Sequence, residues 1–179
     1  MMKIAFFCSA RENMRLKYEE KVIELLISLD REIPFTHVVY GGGEMGVMGT
    51  VYNFFKDKKI IESHNLEKWR FEKNPDENLY TSILKRQKML LLSSDVYIIL
   101  PGGIGTLSEF FDAILLNEVE HKNKPIIVYN CDGYYNTLLD LIEDMIEKKS
   151  ANDHKFLCFS SDIKDIKDYV LSSFSQKAS

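Results

Sequence analysis

The stretch Val96–Glu109 reads VYIILPGGIGTLSE and predicts a strand, a glycine-rich turn and the start of a helix. The run from Val96 to Leu100 is apolar throughout, which favours a buried strand. After the turn, apolar residues recur at helical spacing, at Leu107, Phe110, Phe111, Ile114 and Leu115. Such a junction offers backbone N–H groups and the positive end of a helix dipole to an anion, usually a phosphate. Glu109 follows about one turn into the helix, where its carboxylate can reach whatever the turn holds.

Strands and helices alternate along the whole chain with short connections. Buried strands are predicted at residues 3–8, 36–40, 59–62, 95–100, 124–130 and 156–159. Helical periodicity covers residues 14–30, 44–56, 79–93, the stretch after the glycine turn to 120, 133–149 and 162–174. The polar segment 63–78 is interpreted as a loop with room for a short strand around Trp69. This alternation predicts an α/β fold of one domain, residues 1–179, with a parallel sheet flanked by helices.

Composition excludes several classes of protein. A chain of 179 residues with 45% apolar residues is long enough for one well-formed core. A net charge of −4 argues against general binding of nucleic acids. No apolar run approaches the roughly 20 residues that span a membrane. The three cysteines form no CxxC pair, so we expect neither a disulfide framework nor a metal site, and a reducing, cytoplasmic location.

Several candidate residues are expected at one edge of the sheet. Ligands of open parallel sheets bind outside the carboxyl ends of the strands. Ser9 follows the first strand, Gly41–Gly43 follow the second, and Gly102–Thr106 follow the Val96 strand. Arg86 lies in the first half of the helix that leads into the Val96 strand, and Glu109 lies in the first half of the next helix. Topology therefore brings Arg86 and Glu109 to the same rim, without placing them in contact.

The residue types at this rim suit a phosphorylated sugar. An arginine can hold a phosphate or a sugar hydroxyl in bidentate fashion, and a carboxylate beside a sugar can activate water. Structural interpretations remain open: the turn can be a simple strand-to-helix connection, Glu109 a residue favoured by the helix dipole, and Arg86 part of a solvated face. The chain contains no GxxxxGK[ST] or GxSxG motif, and the glycine pattern of the Pro101–Glu109 stretch is not the GxGxxG dinucleotide fingerprint, which disfavours three common nucleotide-binding or hydrolase classes.

Four segments resemble one known family. PGGIGTLSE at 101–109 resembles the PGGxGTxxE motif of the Lonely Guy (LOG) family, and YGGGEMGVMG at 40–49 is similar to its YGGGxxGLMG turn. KRQKML at 85–90 falls where the family carries its arginine, and KPIIVYNCDGYYNTLL at 124–139 is similar to its KPxxxxNxxGYYxxLL segment. Members are cytokinin riboside 5′-monophosphate phosphoribohydrolases and related nucleotide nucleosidases, many of them described as possible lysine decarboxylases. The resemblance covers nearly the whole chain.

The resemblance implies a Rossmann-like three-layer fold, a homodimer and no cofactor. It implies that Arg86 and Glu109 are catalytic. It assigns the 5′-phosphate to Gly102, Gly103, Gly105 and Thr106, and the lining of the nucleotide pocket to Ser9, Gly42 and Gly43. Apolar residues around Phe110, Phe111 and Leu116 exceed what one chain is expected to bury, in keeping with a dimer.

The expected reaction is hydrolysis of the N-glycosidic bond of a nucleoside 5′-monophosphate, either AMP or an N6-modified cytokinin form. The alternative is a non-catalytic nucleotide-binding or sensing module of the same fold. A lysine decarboxylase is disfavoured, because the strongest motif contains no lysine for pyridoxal phosphate. This chain has Cys8-Ser9-Ala10-Arg11 where the family has CGSS, and Ser108 where a second glutamate is common, which leaves the preferred base open.

Overall fold

A computed structural model describes residues 2–70 and 77–175. Within these ranges the strands are β1 (Met2–Phe7), β2 (Phe35–Tyr40), β3 (Ile60–Leu66), β4 (Asn78–Tyr80), β5 (Val96–Ile99), β6 (Ile126–Tyr129) and β7 (Leu157–Ser160). The α-helices are α1 (Glu12–Glu32), α2 (Gly46–Phe55), α3 (Ile83–Leu92), α4 (Ile104–Glu120), α5 (Asn136–Glu147) and α6 (Ile163–Ser175). Strand and helix alternate almost throughout, as the sequence pattern predicts.

The seven strands form one sheet in the order β4-β3-β2-β1-β5-β6-β7, and every neighbouring pair is parallel. The predicted α/β, Rossmann-like fold is therefore confirmed. Successive strands run outward from β1 on one side, and after α3 the chain returns to the other side of β1 with β5. The strand order thus reverses between β1 and β5, where parallel α/β sheets hold their ligands.

Both faces of the sheet are covered by helices, which gives three layers. In β1, Ile4 and Phe6 point into a core shared with α1, α2 and α6. Ala5 and Phe7 point the other way, into a core shared with α3, α4 and α5. All four side chains are at most 1% exposed, as expected for the central strand of a parallel sheet.

The helical period of α1 determines which of its side chains are buried against the sheet. Val22, Leu25, Leu26 and Leu29 are fully buried on the side that faces the sheet. Leu16 of the same helix lies away from this side and is 74% exposed. Leu16 and Val22 are six residues apart, which corresponds to about 600° of rotation in an α-helix. Their side chains therefore lie about 120° apart around the helix axis. None of the helices in residues 2–70 and 77–175 has the length and apolar character needed to cross a membrane.

Residues 60–66 and 78–80 contain more strand structure than the sequence pattern predicts. The predicted strand at 59–62 continues as β3 to Leu66, so the loop assignment of residues 63–66 was wrong. Asn78–Tyr80 pairs with this extension as β4, and helix α3 begins at Ile83 rather than at residue 79. The Ser82 side chain caps the helix by accepting a hydrogen bond from the Lys85 N–H, which fixes where the helix starts. The short strand considered around Trp69 is a 3₁₀ turn at Glu67–Trp69, and Phe71 lies outside the described residues.

Candidate functional site

The site is built where the strand order reverses. Three loops, after β1, β2 and β5, meet at the carboxyl edge of the sheet. The Ser9 N–H donates a hydrogen bond to the Pro101 carbonyl at 3.3 Å, which joins the first loop to the third. The Ser9 carbonyl accepts a hydrogen bond from the Met48 N–H at 3.1 Å, which joins the first loop to helix α2 and hence to the second. Backbone hydrogen bonds thus hold the three predicted turns in one assembly.

Arg86 and Glu109 form a buried ion pair in this assembly. Arg86 Nη1 donates to Glu109 Oε1 at 3.0 Å, and the two residues are only 8% and 5% exposed. Arg86 also donates through Nε to the His64 carbonyl at 2.9 Å and through Nη2 to the Gly41 carbonyl at 3.4 Å. The guanidinium therefore joins α3 to α4, to β3 and to the turn after β2. The sequence placed the two residues on one rim, and the structure brings them into direct contact.

Burial controls the protonation of the groups around this pair. Burial raises the pKa of Glu109 above its ordinary value, and the neighbouring Arg86 guanidinium offsets part of that rise. Burial and then the Glu109 carboxylate raise the pKa of the nearby Cys8 thiol well above its usual range. Cys8 therefore stays a protonated thiol at neutral pH, while Glu109 is suited to exchange a proton with a ligand.

The Gly102–Thr106 turn is open on its outer side. Helix α4 begins at Ile104, and its first N–H groups have no partner within the helix. Gly103 and Gly105 are exposed, and a Cβ added to either would meet no protein atom within 4 Å. Gly102 is different, because a Cβ there would overlap the buried Thr106 side chain. Gly102 is thus required for packing, whereas Gly103 and Gly105 border space that an anion can occupy.

The Gly41–Gly43 turn is covered by residues that sequence reasoning missed. Asn65 is 3% exposed, and its Nδ2 donates to the Gly42 carbonyl at 3.2 Å and to Glu77 Oε1 at 3.1 Å. Gly42 has a φ of +83°, and a Cβ there would overlap the Glu77 carboxylate. Gly42 is therefore shielded by Asn65 and Glu77, and of the two predicted pocket-lining glycines only Gly43 remains partly exposed.

Ser9 and His64 also lie at this site, where each makes a hydrogen bond that supports the protein itself. Ser9 lies at the edge as predicted, but its Oγ accepts a hydrogen bond from the Arg11 N–H at 3.0 Å, which stabilises its own loop. The His64 carbonyl accepts a hydrogen bond from Arg86, while the His64 ring contacts Tyr80 Oη at 2.8 Å. The available signal for His64 and Asn65 was the polar run from Glu62 to Asn65, at the carboxyl end of a strand. No group of three or more His, Cys, Asp or Glu side chains suited to a metal occurs in the described part of the chain.

Comparison with known proteins identifies relatives. The family described as "Possible lysine decarboxylase" matches residues 37–169. A rice (Oryza sativa) protein named probable cytokinin riboside 5′-monophosphate phosphoribohydrolase LOGL6 is 29% identical over 82% of this chain and 60% of its own length. The Arabidopsis thaliana enzyme named cytokinin riboside 5′-monophosphate phosphoribohydrolase LOG3 is 28% identical over 82% of this chain and 70% of its own. The chain thus spans less than two thirds of the rice relative.

Solved structures show the same fold at lower identity. The molybdenum cofactor carrier protein of Chlamydomonas reinhardtii superposes with a TM-score of 0.72 at 14% identity, covering 97% of this chain and 98% of the carrier. At this identity the likeness supports the architecture and leaves the chemistry to be argued from the site.

The two kinds of glycine in the Gly102–Thr106 turn predict opposite effects on stability. Gly102→Ala should lower the free energy of unfolding by about 1–3 kcal/mol, because the new Cβ overlaps Thr106. Gly105→Ala, in open space in the first turn of α4, should leave stability unchanged or raise it by up to about 1 kcal/mol. Urea unfolding followed by circular dichroism measures both. An equal loss in the two variants would contradict the distinction between them.

Proposed function

This chain belongs to the "Possible lysine decarboxylase" family, the LOG family that its motifs resemble, and on that premise we propose that it is a nucleoside 5′-monophosphate phosphoribohydrolase. It would hydrolyse the N-glycosidic bond of AMP or of an N6-modified cytokinin riboside monophosphate, releasing the free base and ribose 5-phosphate. The observation that carries the proposal is the buried Arg86–Glu109 pair, held beside a strand-to-helix turn that is open to an anion.

The open turn suits the 5′-phosphate. Gly103 and Gly105 leave room for phosphate oxygens, and the first N–H groups of α4 supply donors together with the positive end of the helix dipole. Gly102 and Thr106 support this turn from below through their mutual packing. The phosphate would thus anchor the nucleotide, so that its ribose extends from the turn toward the Arg86–Glu109 pair.

The ion pair suits cleavage of the glycosidic bond. As the bond breaks, positive charge develops on the ribose, and a carboxylate beside the ring stabilises it and positions water. Water adds its oxygen to the anomeric carbon as the C–N bond to the base breaks. One proton of this water passes to Glu109, and the base, which leaves with the electron pair of the broken bond, takes up the proton that Glu109 releases. Arg86 holds Glu109 in place and stabilises negative charge on the substrate. Three hydrogen bonds fix the guanidinium, so little reorganisation is needed during the reaction.

A binding module without turnover is the second candidate. Glu109 is buried and already paired with Arg86, an arrangement that also suits a rigid binding site. A protein named as a molybdenum cofactor carrier has the same fold, so this architecture is compatible with holding a ligand. Product formation decides between the candidates, because a binding module would take up a nucleotide and return it intact.

We further propose that the protein is a cytoplasmic homodimer that pairs through α3 and α4. The two helices border a groove of about 350 Å³, and their large apolar side chains are exposed at Leu84, Leu92, Leu115 and Val119. The sequence interpretation placed this surplus around Phe110, Phe111 and Leu116. It was wrong for Phe110, which is fully buried because it points into the sheet. The three cysteines are unpaired, which suits a reducing compartment.

Substitution of the ion pair should abolish most of the activity. Glu109→Gln and Arg86→Gln should each lower kcat/KM for AMP by at least about 100-fold, because each removes a group that stabilises the transition state. Base release is measured by HPLC from AMP and from isopentenyl-adenosine monophosphate. Gln87→Ala is the matched control, since Gln87 Nε2 bonds to Ser108 Oγ at 2.9 Å between the same two helices. Full activity in both ion-pair variants would refute the assigned roles.

The pH profile should report the raised pKa of Glu109. The reactive carboxylate forms only above that pKa, so kcat/KM should fall on the acid side at a higher pH than for an exposed glutamate. The Asp112 charge adds to the effect of burial, so Asp112→Asn should move this acid limb to lower pH. Glu118→Gln on the same helix is the control and should leave the limb in place. A limb at the position of an exposed glutamate, or one that Asp112→Asn does not move, would contradict this account.

A charge on the apolar face should dissociate the dimer. Leu115→Lys buries an ammonium in the proposed interface, which is costly when unpaired, so light scattering after gel filtration should change from dimer to monomer mass. Leu16→Lys on α1 is the control, because Leu16 is more exposed than Leu115 yet lies outside α3 and α4. A Leu115→Lys protein that keeps the mass of the unsubstituted dimer would exclude this face.

A further inference from the structure

Two adjacent tyrosines hold the loop that follows β5, and the proposed reaction does not use either of them. Tyr134 Oη donates a hydrogen bond to the Gly102 carbonyl at 2.7 Å. Tyr135 Oη donates to the Leu100 carbonyl at 2.8 Å. Both tyrosines lie in the segment after β6, and both hydrogen bonds end on backbone carbonyls of the loop.

The hydrogen bonds of Tyr134 and Tyr135 differ in whether they orient a backbone N–H group. A trans peptide unit is planar, and its C=O and N–H point in opposite directions. When Tyr134 binds the Gly102 carbonyl, the Gly103 N–H of the same peptide unit is turned to the side opposite Tyr134. When Tyr135 binds the Leu100 carbonyl, no donor of that peptide unit is oriented, because the next residue is Pro101 and has no N–H. The Gly102 N–H interacts with the Tyr135 hydroxyl, so it is directed at the protein and not at a ligand. Only Tyr134 therefore fixes the direction of a potential phosphate donor.

Gly103, whose N–H lies opposite Tyr134 on this peptide unit, borders open space. Gly103 is exposed, and a Cβ added there would meet no protein atom within 4 Å. Gly103 also precedes α4 directly as its N-cap residue. Its N–H is therefore available to the same anion that the first N–H groups of the helix would bind.

The protein holds Tyr134 rigidly. The ring packs edge-on against Tyr18 of α1, with 5.3 Å between centroids, and against Tyr135, with 4.7 Å. Behind it, Asn130 Oδ1 accepts a hydrogen bond from the Tyr135 N–H at 2.6 Å, and Gly133 turns the chain with a φ of +69°. A hydroxyl that is held on this scaffold restricts the Gly102–Gly103 peptide to one orientation.

We propose that Tyr134 is a positioning residue for the 5′-phosphate: its hydrogen bond to Gly102 aims the Gly103 N–H at the phosphate. The inference rests on the proposed function, because it concerns how that substrate is held. Tyr135, which makes an equivalent hydrogen bond two peptide units earlier in the chain, has a structural role only. Tyr134→Phe is thus the test variant and Tyr135→Phe is its control, because each removes one hydroxyl that binds a backbone carbonyl.

The test compares Tyr134→Phe with Tyr135→Phe. Calorimetry with ribose 5-phosphate should give a Kd about three- to tenfold higher for Tyr134→Phe than for the unsubstituted protein. Tyr135→Phe should leave this Kd unchanged and lower the melting temperature, because it leaves a buried carbonyl without its partner. With AMP, Tyr134→Phe should raise KM while kcat stays nearly the same, a division that a general loss of stability would not produce. Adenosine, which lacks the phosphate, should bind all three proteins equally.

The outcomes separate this inference from the proposed reaction. Equal affinities of the Tyr134→Phe and unsubstituted proteins for ribose 5-phosphate, with AMP still hydrolysed, overturn the role of Tyr134 alone. Weaker binding by Tyr134→Phe, in a protein that never releases base from AMP, supports the role of Tyr134 and overturns the hydrolase. Failure of the unsubstituted protein to bind ribose 5-phosphate overturns the inference, whatever the fate of AMP. An equal loss of affinity in both tyrosine variants also overturns it.

Discussion

The buried guanidinium of Arg86 is the constraint on which the site depends. A charge removed from water is tolerated only when it is paired and its hydrogen-bond donors are satisfied. The Glu109 carboxylate and two backbone carbonyls, of His64 and Gly41, meet these requirements together. The same contacts define the positions of β3, α4 and the turn after β2 relative to α3. Gly41 must lack a side chain, since a Cβ there would lie only 2.5 Å from Arg86 Nη2. The requirements of one side chain thus explain much of the local sequence.

Much of the architecture followed from periodicity. Apolar runs such as Val96–Leu100 leave little choice but a buried strand, and their alternation with helices forces parallel crossovers. The location of the site followed from the same topology, since the ends of β1, β2 and β5 meet at one edge. The Gly102–Thr106 turn and the residues Arg86 and Glu109 were singled out because a glycine-rich turn and charges at fixed offsets from it occur at the edge where this topology places ligands.

The remaining parts depend on contacts that sequence spacing does not encode. β4 is only three residues long, too short for a recognisable strand pattern, so its pairing with the end of β3 is what makes it a strand. The roles of Asn65 and Tyr134 come from hydrogen bonds to Gly42 and Gly102, which lie 23 and 32 positions away in the chain. Local pattern also cannot tell that Phe110 is buried while its neighbour Phe111 is 38% exposed, since that depends on how α4 is rotated against the sheet.

The reversal of strand order at β1 has a consequence for how this protein can diverge. Strands β1–β4 and the loops between them form one half of the site, and β5–β7 with the Gly102–Thr106 turn form the other. The departure from the LOG motifs at Cys8–Arg11 belongs to the first half, and the departure at Ser108, within PGGIGTLSE, belongs to the second. The two halves share both hydrophobic cores, in addition to the pairing of β1 with β5 and the contacts of Arg86. A change of side-chain volume in either core therefore affects both halves, whereas exposed loop residues of one half can change without altering the packing of the other.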